Sequence, residues 1–143
     1  MFWSSDWAWG MPLLVLTVVF HVCVFVLIVR ALVLKVDSER SARNLAHFFV
    51  AIALTALCAA ALHGLEAMAW AILYVRVGAM SDWSASMLYS LSAITSYGHS
   101  EVFLEDRWKL LGAIEAMNGL ILFGLTTAFL FAAIEEVRPV RRR

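Results

Sequence analysis

Three stretches of this chain, about Met11 to Leu34, Asn44 to Val75 and Trp108 to Val137, are apolar for longer than a bilayer is thick. A spanning helix needs only about 20 apolar residues. No water in the hydrocarbon satisfies backbone N–H and C=O groups, so each stretch must fold as a helix. The 143 residues are 63% hydrophobic and 15% charged, with a mean hydropathy of +0.84. Soluble domains run closer to half apolar and a quarter charged. The expected fold class is an all-α integral membrane protein of one domain at most.

A shorter apolar segment, Met80 to Ile94, lies between the second and third stretches, with Trp83 near its start. It is too short to cross a bilayer. Asp82 is placed to cap it or to serve as a first-turn acid. Thr95-Ser96-Tyr97-Gly98-His99-Ser100-Glu101 follows, then Glu105-Asp106-Arg107. Non-helical backbone at membrane depth survives only where protein buries it or water meets it. A span, a half-length helix, a loop of small and polar residues and a second span make the layout of a re-entrant ion pore. The expected divisions are a first helix and linker over 1–43, a pore unit over 44–137 and a basic tail over 138–143. Within the pore unit these are an outer helix 44–75, a pore helix 80–94, a filter loop 95–101 and an inner helix 108–137.

Charge sets the orientation. Arg30, Lys35, Arg40 and Arg43 sit at one end of the first two spans, and Arg138, Arg141, Arg142 and Arg143 follow the third; only Arg76, Arg107 and Lys109 lie on the opposite side. The positive-inside rule puts the linker and C-terminus in the cytoplasm and the N-terminus outside. The Arg tail reads as a topology anchor or as a contact for anionic lipid. Trp3, Trp7 and Trp9 form an aromatic belt ahead of the first span, and Pro12 suits a first helical turn. The N-terminus lacks a basic n-region, so the first span reads as retained. The formal net charge is zero, and no nucleic-acid face is indicated. Cys23 and Cys58 fall inside apolar runs and read as small buried hydrophobes.

From His63 to Ala133, about half the chain, the sequence resembles the bacterial potassium-channel pore domain, in the form with an extra N-terminal helix. The matching residues are His63-Gly64-Leu65-Glu66 with Trp70, Leu88-Tyr89-Ser90 and Arg107-Trp108-Lys109-Leu110-Leu111-Gly112. The inner helix adds Glu115-Ala116-Met117-Asn118-Gly119 and Phe123-Gly124-Leu125-Thr126-Thr127-Ala128. The resemblance implies a homotetramer in the bacterial inner membrane, in contact with lipid, with permeant potassium or sodium at the filter and no other cofactor. It also implies a gating hinge at Gly119, a cavity lined by Asn118, Leu120, Phe123 and Thr127, and filter support from Glu66, Tyr89, Ser92 and Glu115.

The filter departs from the family's T-T-V/L-G-Y-G-D. Aligned without gaps, the preferred register, Thr95 and Gly98 match, Glu101 supplies the trailing acid, His99 replaces the aromatic and Ser100 replaces the second glycine; a one-residue insertion instead lays Tyr97-Gly98 over the family's Y-G. A filter is a row of backbone carbonyls that replaces an ion's hydration shell. Alternating backbone handedness is easy for glycine and costs other residues about 1 kcal/mol or more each. A full potassium filter is therefore not expected. Ser96 and Ser100 would offer rings of hydroxyls. Tyr97 is a wall residue or a plug. His99 either packs behind the filter, bonded to Tyr89, Ser92 or Glu101, or faces the axis, where protonation near about pH 6.5 would oppose cations.

Acids surround both mouths, Glu101, Glu105 and Asp106 on one side and Glu135 and Glu136 on the other, as in cation pores. His63 and Glu66 share a helix face at i, i+3. Two ligands make a weak metal signal, so the expectation is a structural bond to the back of the pore helix and no metal. His21 and His47 are not expected as ligands. Gly119 is either a hinge or a close helix contact, a role Gly124 also suits. No Ser/His/Asp set, HExxH or phosphate loop is present, so no enzyme is expected. The expected function is cation conduction with potassium selectivity weakened or lost. The alternatives are a non-conducting sensory or binding protein on this scaffold, or a pore for protons, anions or a metal.

Overall fold

The structure is a computed structural model that describes residues 3–36, 45–95, 97–98 and 102–137. All regular structure among them is helical. The elements are α1 (Trp3–Val36), α2 (Leu45–Arg76), α3 (Trp83–Ile94), a 3-10 turn (Asp106–Trp108) and α4 (Lys109–Val137). Three helical segments, Ser5–Ala31, Phe48–Arg76 and Asp106–Glu135, are long and apolar enough to cross a membrane.

Polarity is turned inside out, as lipid requires. Val15, Leu16, Leu27, Leu54, Leu57 and Phe131 are exposed on the helices, while Asp6, Thr17, His21, His63, Glu66, Glu115, Asn118 and Thr126 are buried. Lipid is as apolar as leucine, so helix association depends on close packing and interhelical hydrogen bonds. Cys23 and Cys58 correct the sequence reading. Both are exposed on the single chain, since an apolar run on a helix long enough to cross a membrane need not face protein.

The first helix begins well before the expected Met11. Pro12 therefore lies inside α1 and not in its first turn, so its ring crowds the carbonyl one turn back and its missing N–H leaves a bond unmade. The early turns are held by tertiary contact. Buried Asp6 accepts the backbone N–H of Leu111 at 3.0 Å, one of the donors that the start of α4 leaves without an intrahelical partner. The carboxylate thus caps α4 from another helix. Trp7 and Trp9 remain exposed, on helical backbone.

The chain leaves α2 through Gly78, at φ +68°, with Ala79 N–H bonded to the Tyr74 carbonyl at 2.8 Å. Asp82 is the N-cap of α3, accepting Ala85 N–H at 2.6 Å. The helix starts at Trp83 and spans 12 residues, about 18 Å. It lies against α2 and α4. Ser90 Oγ donates to the Ala67 carbonyl of α2 at 2.7 Å. At the far end, a Cβ on Gly119 would lie 2.8 Å from Ile94 Cα and closer still to its carbonyl oxygen. Gly119 is ten residues beyond Lys109, the first residue of α4, so Ile94 sits about 15 Å along that helix. The returning segment regains the starting level at Glu105, whose N–H bonds the Ala79 carbonyl at 3.2 Å.

Candidate functional site

The end of α3 leads into the candidate site. Thr95 Oγ1 donates to Leu91 O at 2.5 Å, and Thr95 N–H reaches the same carbonyl at 3.1 Å. Tyr97 N–H bonds Ser92 O at 3.1 Å, while the Tyr97 side chain is 86% exposed. Gly98 has φ +86°, and a Cβ there would meet nothing within 4 Å. Glycine is needed here for backbone handedness and not for space. Ser96, His99, Ser100 and Glu101 lie outside the described residues, as do the linker and the Arg tail.

Behind this segment, α2, α3 and α4 are joined through one carboxylate. Glu115 is fully buried and bonds the Tyr74 hydroxyl of α2 and the Ser90 hydroxyl of α3. The Tyr74 and Tyr89 rings meet edge to face at 5.4 Å, and Tyr89 lies against Gly112, where a side chain would collide with its hydroxyl. Ser92 uses its hydroxyl within its own helix, on Leu88 O at 2.7 Å. Glu66, expected to brace the same region, faces the other way, toward His21 and His63.

On α4, Asn118 is buried, and its Nδ2 donates to Thr17 Oγ1 of α1 at 2.9 Å. It thus differs from Leu120, Phe123 and Thr127, which are exposed. Phe123 also stacks on His63 at 4.5 Å between centroids, and Thr127 Oγ1 donates to Phe123 O at 2.9 Å. Gly119 makes the close helix contact, whereas a Cβ on Gly124 would meet nothing within 4 Å. Ahead of and at the start of α4, Lys109 pairs with Asp106 at 2.7 Å and Arg107 with Glu105 at 3.5 Å. These are exposed pairs of little energetic weight.

Sequence reasoning did not bring His21 to His63 and Glu66. The two sit in α2 with the i, i+3 spacing already noted, but His21 comes from α1. Its Nδ1 is 2.7 Å from Glu66 Oε1. Thr126 of α4 lies 3.1 Å from His21 Nε2 and 3.0 Å from His63 Nε2. The signal in the sequence was polar residues placed inside apolar spans, which does not say which of them meet across spans. The His47 side chain lies outside the described residues. No family model matches the chain, and comparison with curated proteins and with solved structures returns no match.

Proposed function

We propose that four copies of this chain assemble about a common axis in a bacterial inner membrane, with the N-terminus outside and the C-terminus in the cytoplasm. In this reading α3 is a re-entrant pore helix, and residues 95–101 encircle a watery passage for potassium and sodium. One observation carries the proposal. A helix too short to span a bilayer ends with Ile94 against Gly119, well along α4, and non-helical backbone follows it. Backbone of that kind at membrane depth needs protein or water around it, and Tyr97 and Gly98 are uncovered by their own subunit. The C-terminal end of α3 directs partial negative charge toward the passage, which favours cations. Leu120 and Thr127 give α4 an exposed face for the axis or for a neighbouring copy.

The left-handed backbone at Gly98 supports carbonyls turned inward there. Ser100 in place of the second filter glycine argues for fewer dehydrated sites, hence weak discrimination between potassium and sodium. The exposed Tyr97 ring favours a second reading, in which it closes the axis of a non-conducting sensory or binding protein.

The test is reconstitution into liposomes and planar bilayers after the assembly mass has been measured. Expected are a four-chain mass, a current with nearly equal potassium and sodium permeabilities, and loss of that current in Gly98→Val. A strongly potassium-selective current refutes the weakened selectivity. A folded four-chain assembly with no cation flux refutes conduction and leaves the second reading.

A further inference from the structure

His21 of α1, His63 and Glu66 of α2 and Thr126 of α4 form a closed ring of buried side chains. Its four contacts are His21 Nδ1 to Glu66 Oε1 at 2.7 Å, Glu66 Oε2 to His63 Nδ1 at 3.2 Å, His63 Nε2 to Thr126 Oγ1 at 3.0 Å and Thr126 Oγ1 to His21 Nε2 at 3.1 Å. Each contact needs one proton to be attractive. Two neutral imidazoles bring one N–H each, the threonine brings one O–H, and an ionised carboxylate brings none. Three protons therefore serve four contacts, and wherever they are placed one contact sets two lone pairs against each other. The weakest-made contact is His63 Nδ1 to Glu66 Oε2, 3.2 Å apart and buried but out of hydrogen-bonding geometry. An unmade contact of this kind is costly where no water can enter.

We infer that His21, His63 and Glu66 bind a divalent transition cation, zinc foremost, through both imidazole Nδ1 atoms and the Glu66 carboxylate. Two imidazoles and one carboxylate are a donor set that zinc takes, at bond lengths of about 2.0–2.2 Å. The Nδ1 atoms lie 2.7 and 3.2 Å from the two Glu66 carboxylate oxygens, and one ligand atom from each residue, an imidazole nitrogen or a carboxylate oxygen, lies within 4.8 Å of the others. Ligands on a tetrahedral zinc stand roughly 3.4 Å apart at those bond lengths, so the side chains need to close by little more than an ångström. The metal also resolves the proton count. With both Nδ1 atoms on the ion, each Nε2 keeps its proton and donates to Thr126 Oγ1, which has two lone pairs to receive them. The threonine's own proton is then free for a carbonyl of its helix. An outer partner of this kind fixes the tautomer and orientation of metal-bound histidines.

The surroundings fit such a site. Phe123 stacks on His63 at 4.5 Å and Phe25 lies 4.9 Å from the His21 ring, so apolar walls shield it. A groove of about 220 Å³ between α1 and α2, bordered by Thr17, Phe20 and Leu65, reaches Glu66. The ion would tie α1 directly to α2, and all its ligands come from one subunit. The inference therefore stands whether or not four copies form a pore.

The experiment is metal analysis of the full-length protein in detergent, stripped with chelator, incubated with zinc and desalted. The expected result is about one zinc per chain in the wild type, at least a tenfold loss in Glu66→Gln and in His63→Gln, and visible tetrahedral bands when cobalt(II) replaces zinc. Zinc, but not magnesium, should raise the wild-type unfolding temperature. A wild type without zinc decides against the site even if a variant fails to fold, and a folded variant of either residue places the zinc when the wild type holds it. Folded wild type that holds less than about a tenth of a zinc per chain, with no cobalt bands, overturns the inference and leaves a proton in the fourth contact. Zinc retained undiminished by both variants is bound elsewhere and overturns it equally.

Discussion

Replacing Gly119 by alanine tests the seating of α3 on α4. The new Cβ would lie 2.8 Å from Ile94 Cα, with the Ile94 carbonyl oxygen nearer still. Overpacking a well-packed site costs about 1–3 kcal/mol. The atoms struck here are backbone, so no rotamer change relieves the contact, and the cost belongs near about 3 kcal/mol. Alanine recovers about 1 kcal/mol relative to glycine within a helix. The net loss is about 2 kcal/mol, or about thirtyfold in the folding equilibrium. Gly124→Ala is the matched control. Its Cβ meets nothing within 4 Å, so it gains up to about 1 kcal/mol from helix propensity alone. The assay is denaturant unfolding in mixed micelles, followed by far-UV circular dichroism, with the two variants compared directly. If Gly119→Ala is as stable as Gly124→Ala, Ile94 does not rest on α4 as described. A glycine needed only as a hinge would lose no stability, so the same comparison separates the two roles.

The Glu115 carboxylate gives a double-mutant prediction. Glu115→Leu leaves the buried Tyr74 hydroxyl without its acceptor, at a cost of about 1–3 kcal/mol. Tyr74→Phe should then cost less on that background than in the wild type, and equal costs in a thermal-unfolding cycle would refute the coupling. Asp6→Ala removes the acceptor of the Leu111 N–H and should cost about 1 kcal/mol as a lost cap, read in the same assay; no loss would mean that the first turns of α1 do not hold α4. Asn118→Leu should cost about 0.6 kcal/mol, the usual worth of an interhelical hydrogen bond in a membrane, and leave any unitary conductance unchanged. A conductance change without a stability change would put Asn118 in the ion path and not against Thr17.

What could be read from the sequence was local or set by length. The three apolar stretches announced spanning helices because a bilayer demands length and polar satisfaction together. Asp82 could be read as a cap because its partner, Ala85, is three residues away. The start of α1 could not be read, since Asp6 is secured by Leu111, 105 residues downstream. His21 was passed over for the same reason, its carboxylate partner being 45 residues away on another helix. Gly119 and Gly124 are alike as small residues on one helix, and only the position of Ile94 tells them apart. Asn118 is itself expected in the cavity, yet its amide turns to Thr17 of α1, because a small rotation around a helix changes which neighbour a side chain meets. The residues expected to brace the filter divide similarly: Glu115 joins Ser90 and Tyr74, whereas Glu66 joins the histidines.

The most direct measurement for the pore proposal is an experimental density map of the full-length protein in lipid, recorded in potassium and again in sodium. The account predicts four chains related by one axis, Thr95 to Glu101 of each surrounding it, and ion density between their carbonyls in both salts. Two chains, or a turn after Ile94 that lies among lipid headgroups with no axial opening beneath it, would contradict it.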